Sequence, residues 1–304
     1  MIVPDSSHLA AFTMSNPSTT SVAPIPTVIP GAPVFQELHD TGKRTLWVVT
    51  ALMGLSSLVF YTLSARAPLS KRVFHTLTSL ITTISFFVYL ALATGQGITW
   101  KHIYVINHHK HVPNTTDEFF RQVLWLRYVN WALTTPLILI NFALVSGLPG
   151  ANMLVAIAAN LAMLAAGLLG SFAGHTPQRW VWLTLSCISY LVMLHHGGFH
   201  AQRAVQNKDD PTRRFFTSLS GSFFAVFALF PISLAAGALA LKASVDAETV
   251  ILAIVDIFTQ GLLGYWLLLS HDSTPGIGTL YLDGFWSQGV GNEGAIRIED
   301  EEGA

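Results

Sequence analysis

An acid and an amide stand four residues apart in the last apolar stretch of this chain, at Asp256 and Gln260. Residues at that spacing lie on one face of a helix, one turn apart. An amine at the second position would condense with an aldehyde to a Schiff base, with the acid as counter-ion. A glutamine amide cannot do this. The lysines, Lys43, Lys71, Lys101, Lys110, Lys208 and Lys242, all fall in loops or at span ends. Arg127 is the one base well inside an apolar run, and Asp256 the one acid deep in one, with Glu248 near the start of the same run. Ionisable groups in lipid are costly and point to function or to a structural polar centre. Asp256 is expected either to pair with Arg127, directly or through water, or to be held neutral, with Tyr89 and Trp131 as candidate donors.

The elements that position these groups follow from composition. Hydrophobic residues make up 51% of the chain and charged residues 11%, and the mean hydropathy is +0.50. Soluble domains carry about 25% charged residues. The apolar residues collect into seven runs at about 44–65, 72–95, 122–146, 149–172, 179–198, 214–240 and 248–270, each long enough to cross a bilayer. Continuous spans must satisfy their backbone internally, which predicts helices. The expected organisation is a flexible arm over 1–40, a transmembrane domain over 41–272 and a polar tail over 273–304. Lys and Arg in the first and fifth loops place the N-terminus outside and the C-terminus in the cytoplasm. The net charge of −1 offers nothing to nucleic acid. Cys187 stands alone, so no intrachain disulfide is expected.

The third span reads Arg127-Tyr128-Val129-Asn130-Trp131-Ala132-Leu133-Thr134-Thr135-Pro136-Leu137. This string resembles the third helix of microbial (type 1) rhodopsins, R-Y-x-D-W-x-x-T-T-P-L, and the tail from Gly284 to Ile298 is similar to that of fungal members. The resemblance covers about residues 40–304 and implies an all-α seven-helix bundle in a lipid bilayer, assembled as a homo-oligomer (dimer or trimer), with retinal on a seventh-helix lysine. It implies that Trp131, Thr135, Met163, Gly167, Phe227, Phe230, Pro231, Asp256 and Gln260 line the retinal pocket. It implies a polar centre of Arg127, Asn130, Tyr89 and Asp256, and a proton-release role for the position of Glu248.

The departures concentrate in that pocket. The lysine position is Gln260, the proton acceptor is Asn130 and the proton donor is Asn141. The sixth-helix aromatics are reduced to Phe227, Phe230 and Leu234, and Leu183 stands where an aromatic closes the pocket. Loss of the cation makes a second buried acid a liability, which Asn130 removes. The expectation is therefore a plasma-membrane protein that does not pump protons, holds no covalent cofactor and is not an enzyme. The resemblance is to the lysine-lacking opsin-related proteins of fungi, a group with members linked to membrane stress. Two alternatives stand beside it: retinal bound noncovalently between Trp131 and Phe227, or light-independent transport of an ion or small molecule. Histidines cluster at 108, 109 and 111 and at 195, 196 and 200. With no Cys or acid at ligand spacing, neither group is assigned a metal, although His196 and His200 are the better-spaced pair.

Overall fold

A computed structural model of the chain describes residues 31–67, 72–110 and 113–273, the last three of these by backbone alone. Most of the arm and the tail expected at the termini lie outside the described residues. Seven helical rods form the bundle. The first four are α1 (Asp40–Arg66), α2 (Arg72–Ala93), α3 (Leu126–Ser146) and α4 (Gly150–Phe172). The fifth runs through α5 (Thr176–Met193), a π-helical turn (Leu194–Phe199) and α6 (His200–Val205). The sixth comprises α7 (Asp210–Phe227), α8 (Leu229–Leu234) and a π turn (Ala235–Leu239). The seventh comprises α9 (Val245–Asp256), a π turn (Ile257–Leu262) and α10 (Leu263–Ser273).

Six of the rods are long and apolar enough to cross a membrane. The fifth is the exception, because His195, His196, His200, Gln202 and Arg203 occupy its second half. The burial pattern is that of a protein in lipid. Leu55, Leu58, Phe87, Val181, Leu191 and Leu269 face outward, while Thr78, Ser79, Thr82, Ser85, Asn130, Asn141 and Gln260 are buried. Hydroxyls inside the rods return their protons to backbone carbonyls one turn back, as Thr78 does to Phe74 O at 2.8 Å and Thr134 to Asn130 O at 2.8 Å. No buried hydroxyl of that kind needs water.

The connection between α2 and α3, expected as a loop, is a sheet. Strands β2 (Thr99–Asn107) and β3 (Thr115–Val123) pair antiparallel from Thr99↔Val123 to Asn107↔Thr115. Strand β1 (Val34–Gln36) adds to β3 in parallel, so this part of the segment expected as a flexible arm is tied down before the first rod. Trp100, Ile103, Tyr104, Val105 and Ile106 carry the β-branched and aromatic content that favours a strand. Phe120 stacks between Phe35 and His102, with ring centroids 5.1 and 4.2 Å away. The strand moves the start of the third rod from the expected residue 122 to Leu126.

The sheet defines a hairpin side of the bundle. Rods one, three, five and seven begin there, and rods two, four and six end there. Arg121 on β3 is its main fastening. The buried guanidinium donates to Glu248 Oε2 at 2.5 Å, to Ala243 O at 2.9 Å and to Gln36 Oε1. Asp246 closes the same side, accepting from the N–H groups of His39 and Gly42 at 3.0 and 3.1 Å, at the free N-terminus of α1.

Candidate functional site

The polar centre is built from α2, α3 and the seventh rod. Ser85 and Tyr89 are one turn apart on α2, Asn130, Trp131 and Thr134 follow on α3, and Asp256 and Gln260 lie on the seventh rod. All seven side chains are buried. Gln260 lies within the π turn Ile257–Leu262, yet its side chain returns to Asp256 four residues earlier.

The Gln260 amide is matched on both sides. Its oxygen accepts from the Ser85 hydroxyl and from Asn130 Nδ2 at 3.2 Å. Its nitrogen donates to Asp256 Oδ1 at 3.0 Å and to Thr134 Oγ1 at 3.3 Å. Two acceptances and two donations are the full capacity of a carboxamide. Asn130 is oriented by the same neighbours, with its own oxygen 3.1 Å from Ser85 Oγ.

Asp256 is held by neutral donors. Tyr89 donates its phenol proton to Oδ2, and Trp131 donates its indole N–H to Oδ1. Both donors match expectation. Of the alternatives expected for Asp256, a direct ion pair with Arg127 does not form. Arg127 Nε and Nη2 are buried without a hydrogen-bond partner among the described residues, while the guanidinium reaches the Tyr89 side chain and its charge acts through space on Asp256. Asp256 accepts from Tyr89, Trp131 and Gln260, and Asn130 turns to Gln260. Arg127 borders a cavity of about 10 Å³, together with Arg121, Tyr128, Trp131, Glu248 and Thr249. Glu248 is engaged by Arg121 there, and Thr249 Oγ1 has no partner among the described residues.

The aromatic side of the centre is packed ring on ring. Trp131 meets Phe230 edge-on with centroids 4.9 Å apart, and Phe227 at 6.2 Å. Phe223, Phe227 and Phe230 continue as a stacked column along the sixth rod. Gly167 accommodates the column, because a Cβ there would stand 2.8 Å from Phe230 Cζ. Met163 is buried nearby on α4 and accepts the Ser186 hydroxyl at its carbonyl, 3.0 Å away. Thr135 is buried, Pro231 half-buried and Leu234 buried. Asn141 lies farther from the hairpin, beside Thr78, Thr259 and Gln260 around a cavity of about 20 Å³, and its Oδ1 has no partner among the described residues.

Sequence reasoning missed Ser85, which supplies the shortest contact to Gln260. Its position one turn before Tyr89 was the available signal. Arg121 and Arg179, both on the hairpin side, are also buried. Arg179 donates to the carbonyls of Ala238 and Leu239 and so caps the π turn of the sixth rod.

With this geometry fixed, the comparisons are decisive on ancestry. The bacteriorhodopsin-like protein family matches residues 41–273. The chain belongs to the bacteriorhodopsin-like family. Opsin-1 of Neurospora crassa is 41% identical to it over 292 residues, covering 95% of this chain and 96% of that protein. Bacteriorhodopsin of Halobacterium salinarum is 26% identical over 257 residues, covering 81% and 90%. The crystal structure of a light-driven proton pump from Leptosphaeria maculans superposes with a TM-score of 0.78 at 34% identity, covering 81% of this chain and 100% of that one. This is therefore a membrane protein of the microbial rhodopsin family, related to fungal opsins and to proton pumps. Within that family frame, the seventh rod presents Gln260 to the centre of the bundle and carries no lysine between Val245 and Ser273.

Proposed function

We propose that this chain is a microbial rhodopsin-family protein that has lost retinal photochemistry: it holds no Schiff base and pumps no protons in light. The carrying observation is the Gln260 amide, whose oxygen and nitrogen are both fully used by Ser85, Asn130, Thr134 and Asp256. The residues present do not fit a covalent retinal. Gln260 offers no amine, and its four hydrogen bonds hold the amide away from any other task. Asn130 and Asn141 have no titratable proton to accept or donate.

Noncovalent retinal fits poorly too. A polyene between two rings holds them about 7 Å apart, twice a carbon–carbon contact distance. Trp131 and Phe227 are 6.2 Å apart and edge-on rather than parallel, and Phe230 stands 4.9 Å from Trp131. In this reading the protein is a non-photochemical stress or regulatory protein of the plasma membrane. The stress role rests on its resemblance to lysine-lacking fungal opsin-related proteins. The N-terminus and the hairpin side face outward, the C-terminus is cytoplasmic, and the bundle assembles as a dimer or trimer. Lys and Arg in the loops opposite the hairpin support that orientation.

The test is a visible spectrum of the protein expressed with all-trans retinal, before and after hydroxylamine. No band is expected. A hydroxylamine-sensitive band well beyond the absorption of free retinal overturns the reading. Colour appearing only in Gln260→Lys shows a cavity that lacks just its anchor.

A further inference from the structure

The end of the bundle opposite the hairpin carries three imidazoles with no part in the polar centre. His195, His196 and His200 lie on the fifth rod across the π turn Leu194–Phe199. In an α-helix, residues five apart are rotated about 140° from each other, so His195 and His200 would face different ways. The π turn bonds i to i+5, and the His200 N–H donates to His195 O. That wider turn gathers all three rings. Centroids are 4.8 Å apart for His195 and His200, 5.3 Å for His196 and His200, and 5.2 Å for His195 and His196. Gly197 allows the turn to approach α4, since a Cβ there would stand 3.3 Å from Ala156 Cβ.

A second observation concerns the orientation of one ring. His196 Nδ1 lies 2.9 Å from Asn152 Oδ1, two residues into α4. A carboxamide oxygen only accepts, so Nδ1 carries the proton and Nε2 presents its lone pair. Histidines that bind metal are held this way, with the remote N–H donated to an oxygen. Two histidines at i and i+4 on one helix face form a chelating pair. The short turn between α3 and α4 places Asn152, and with it this cluster, at the membrane boundary.

We propose that His196 and His200, with His195 as third ligand, bind a divalent transition-metal ion of the zinc or copper type, with Asn152 as a positioning residue. Imidazole suits these metals, and water completes the coordination. In the present rotamers no three such groups converge on one point among the described residues. His195 is exposed and the other two are half-buried, so side-chain rotation alone can turn the nitrogens inward.

The experiment uses the full-length chain without a polyhistidine tag, in lipid nanodiscs. The background carries His108→Gln, His109→Gln and His111→Gln to remove the other histidine cluster. Zn²⁺ is titrated calorimetrically, and Cu²⁺ is followed by electron paramagnetic resonance. The expected result is one bound equivalent and a copper spectrum split by two or more nitrogens. Both should be lost in His196→Ala/His200→Ala, and Zn²⁺ affinity should fall about 10- to 100-fold in Asn152→Ala. Unchanged stoichiometry in the double variant overturns the proposal. If that variant does not fold, a background copper spectrum without multiple nitrogen coupling overturns it as well.

Discussion

Around Gln260, four neighbours use every hydrogen-bonding position of one amide, whereas around Arg127 two guanidinium nitrogens end in a small cavity without an acceptor. These two centres share α3 and lie one turn apart along it. The difference follows from chemistry. A carboxamide is neutral and both donates and accepts, so neighbouring hydroxyls and amides can close around it. A guanidinium only donates, and its charge asks for an acid. With asparagine at position 130 and Asp256 already committed to Tyr89, Trp131 and Gln260, no acid is left for Arg127. The amide at position 260 thus closes one centre, while its neighbour keeps two unmatched donors.

The contrast can be broken most sharply at Asp256. Asp256→Ala leaves the buried donors of Tyr89 and Trp131 with no acceptor, takes one of two acceptors from the Gln260 amide, and removes the deep negative charge of the seventh rod. A loss of about 3–5 kcal/mol is expected, read as folded fraction on thermal or denaturant unfolding in nanodiscs. Gln260→Leu keeps the volume and strips the amide, which should cost about 2–4 kcal/mol by the same measurement. A neutral result there would mean that the amide network is incidental. Glu248→Gln leaves buried Arg121 a hydrogen-bond acceptor but no counter-charge, and a loss of about 2 kcal/mol is expected.

Outside the membrane the same chemistry is cheaper. Asp209 caps α7, accepting from Thr212 N–H at 3.2 Å and from its hydroxyl at 2.9 Å. The hydrogen bond from the Thr212 side chain holds the Asp209 carboxyl below its ordinary range. A depressed folded value stabilises above the unfolded one and is lost as pH falls through the folded one. Asp209→Ala should therefore cost about 1 kcal/mol at neutral pH. The gap from the parent should close below about pH 4, the ordinary carboxylate range, in a pH series of melting temperatures. The smallest loss is expected from Arg127→Met. A buried guanidinium with two unmatched nitrogens offsets what its charge gains from Asp256, so stability should hold or rise slightly. A fall of several kcal/mol would reveal Arg127 as an essential tie between α3 and the seventh rod.

The sequence made the bundle legible, because apolar runs of membrane length and the Arg127–Leu137 string leave few alternatives. It also pointed to Tyr89 and Trp131 as donors to Asp256, through the resemblance of their positions to the microbial rhodopsin pattern. It did not reveal the hairpin, whose alternation is blurred by polar residues on both faces of β2 and β3. Nor did it reveal the π turns, because an i+5 bond needs no distinctive residue and shifts facing by part of a turn. That shift is why His195 joins His200, which spacing alone places on another face. The unpaired state of Arg127 was equally hidden. Nearness to an acid in sequence register suggests a pair, whereas the acid here is held by Tyr89, Trp131 and Gln260.

Arg121 binds the segment before the first rod, the turn between the sixth and seventh, and the start of the seventh, through Gln36, Ala243 and Glu248. One side chain therefore acts as a latch across the hairpin mouth of the bundle. Anything leaving the interior by that route must undo three contacts of a buried cation at once. The hairpin mouth is consequently held by a single buried cation, and opening it separates three segments of the chain together.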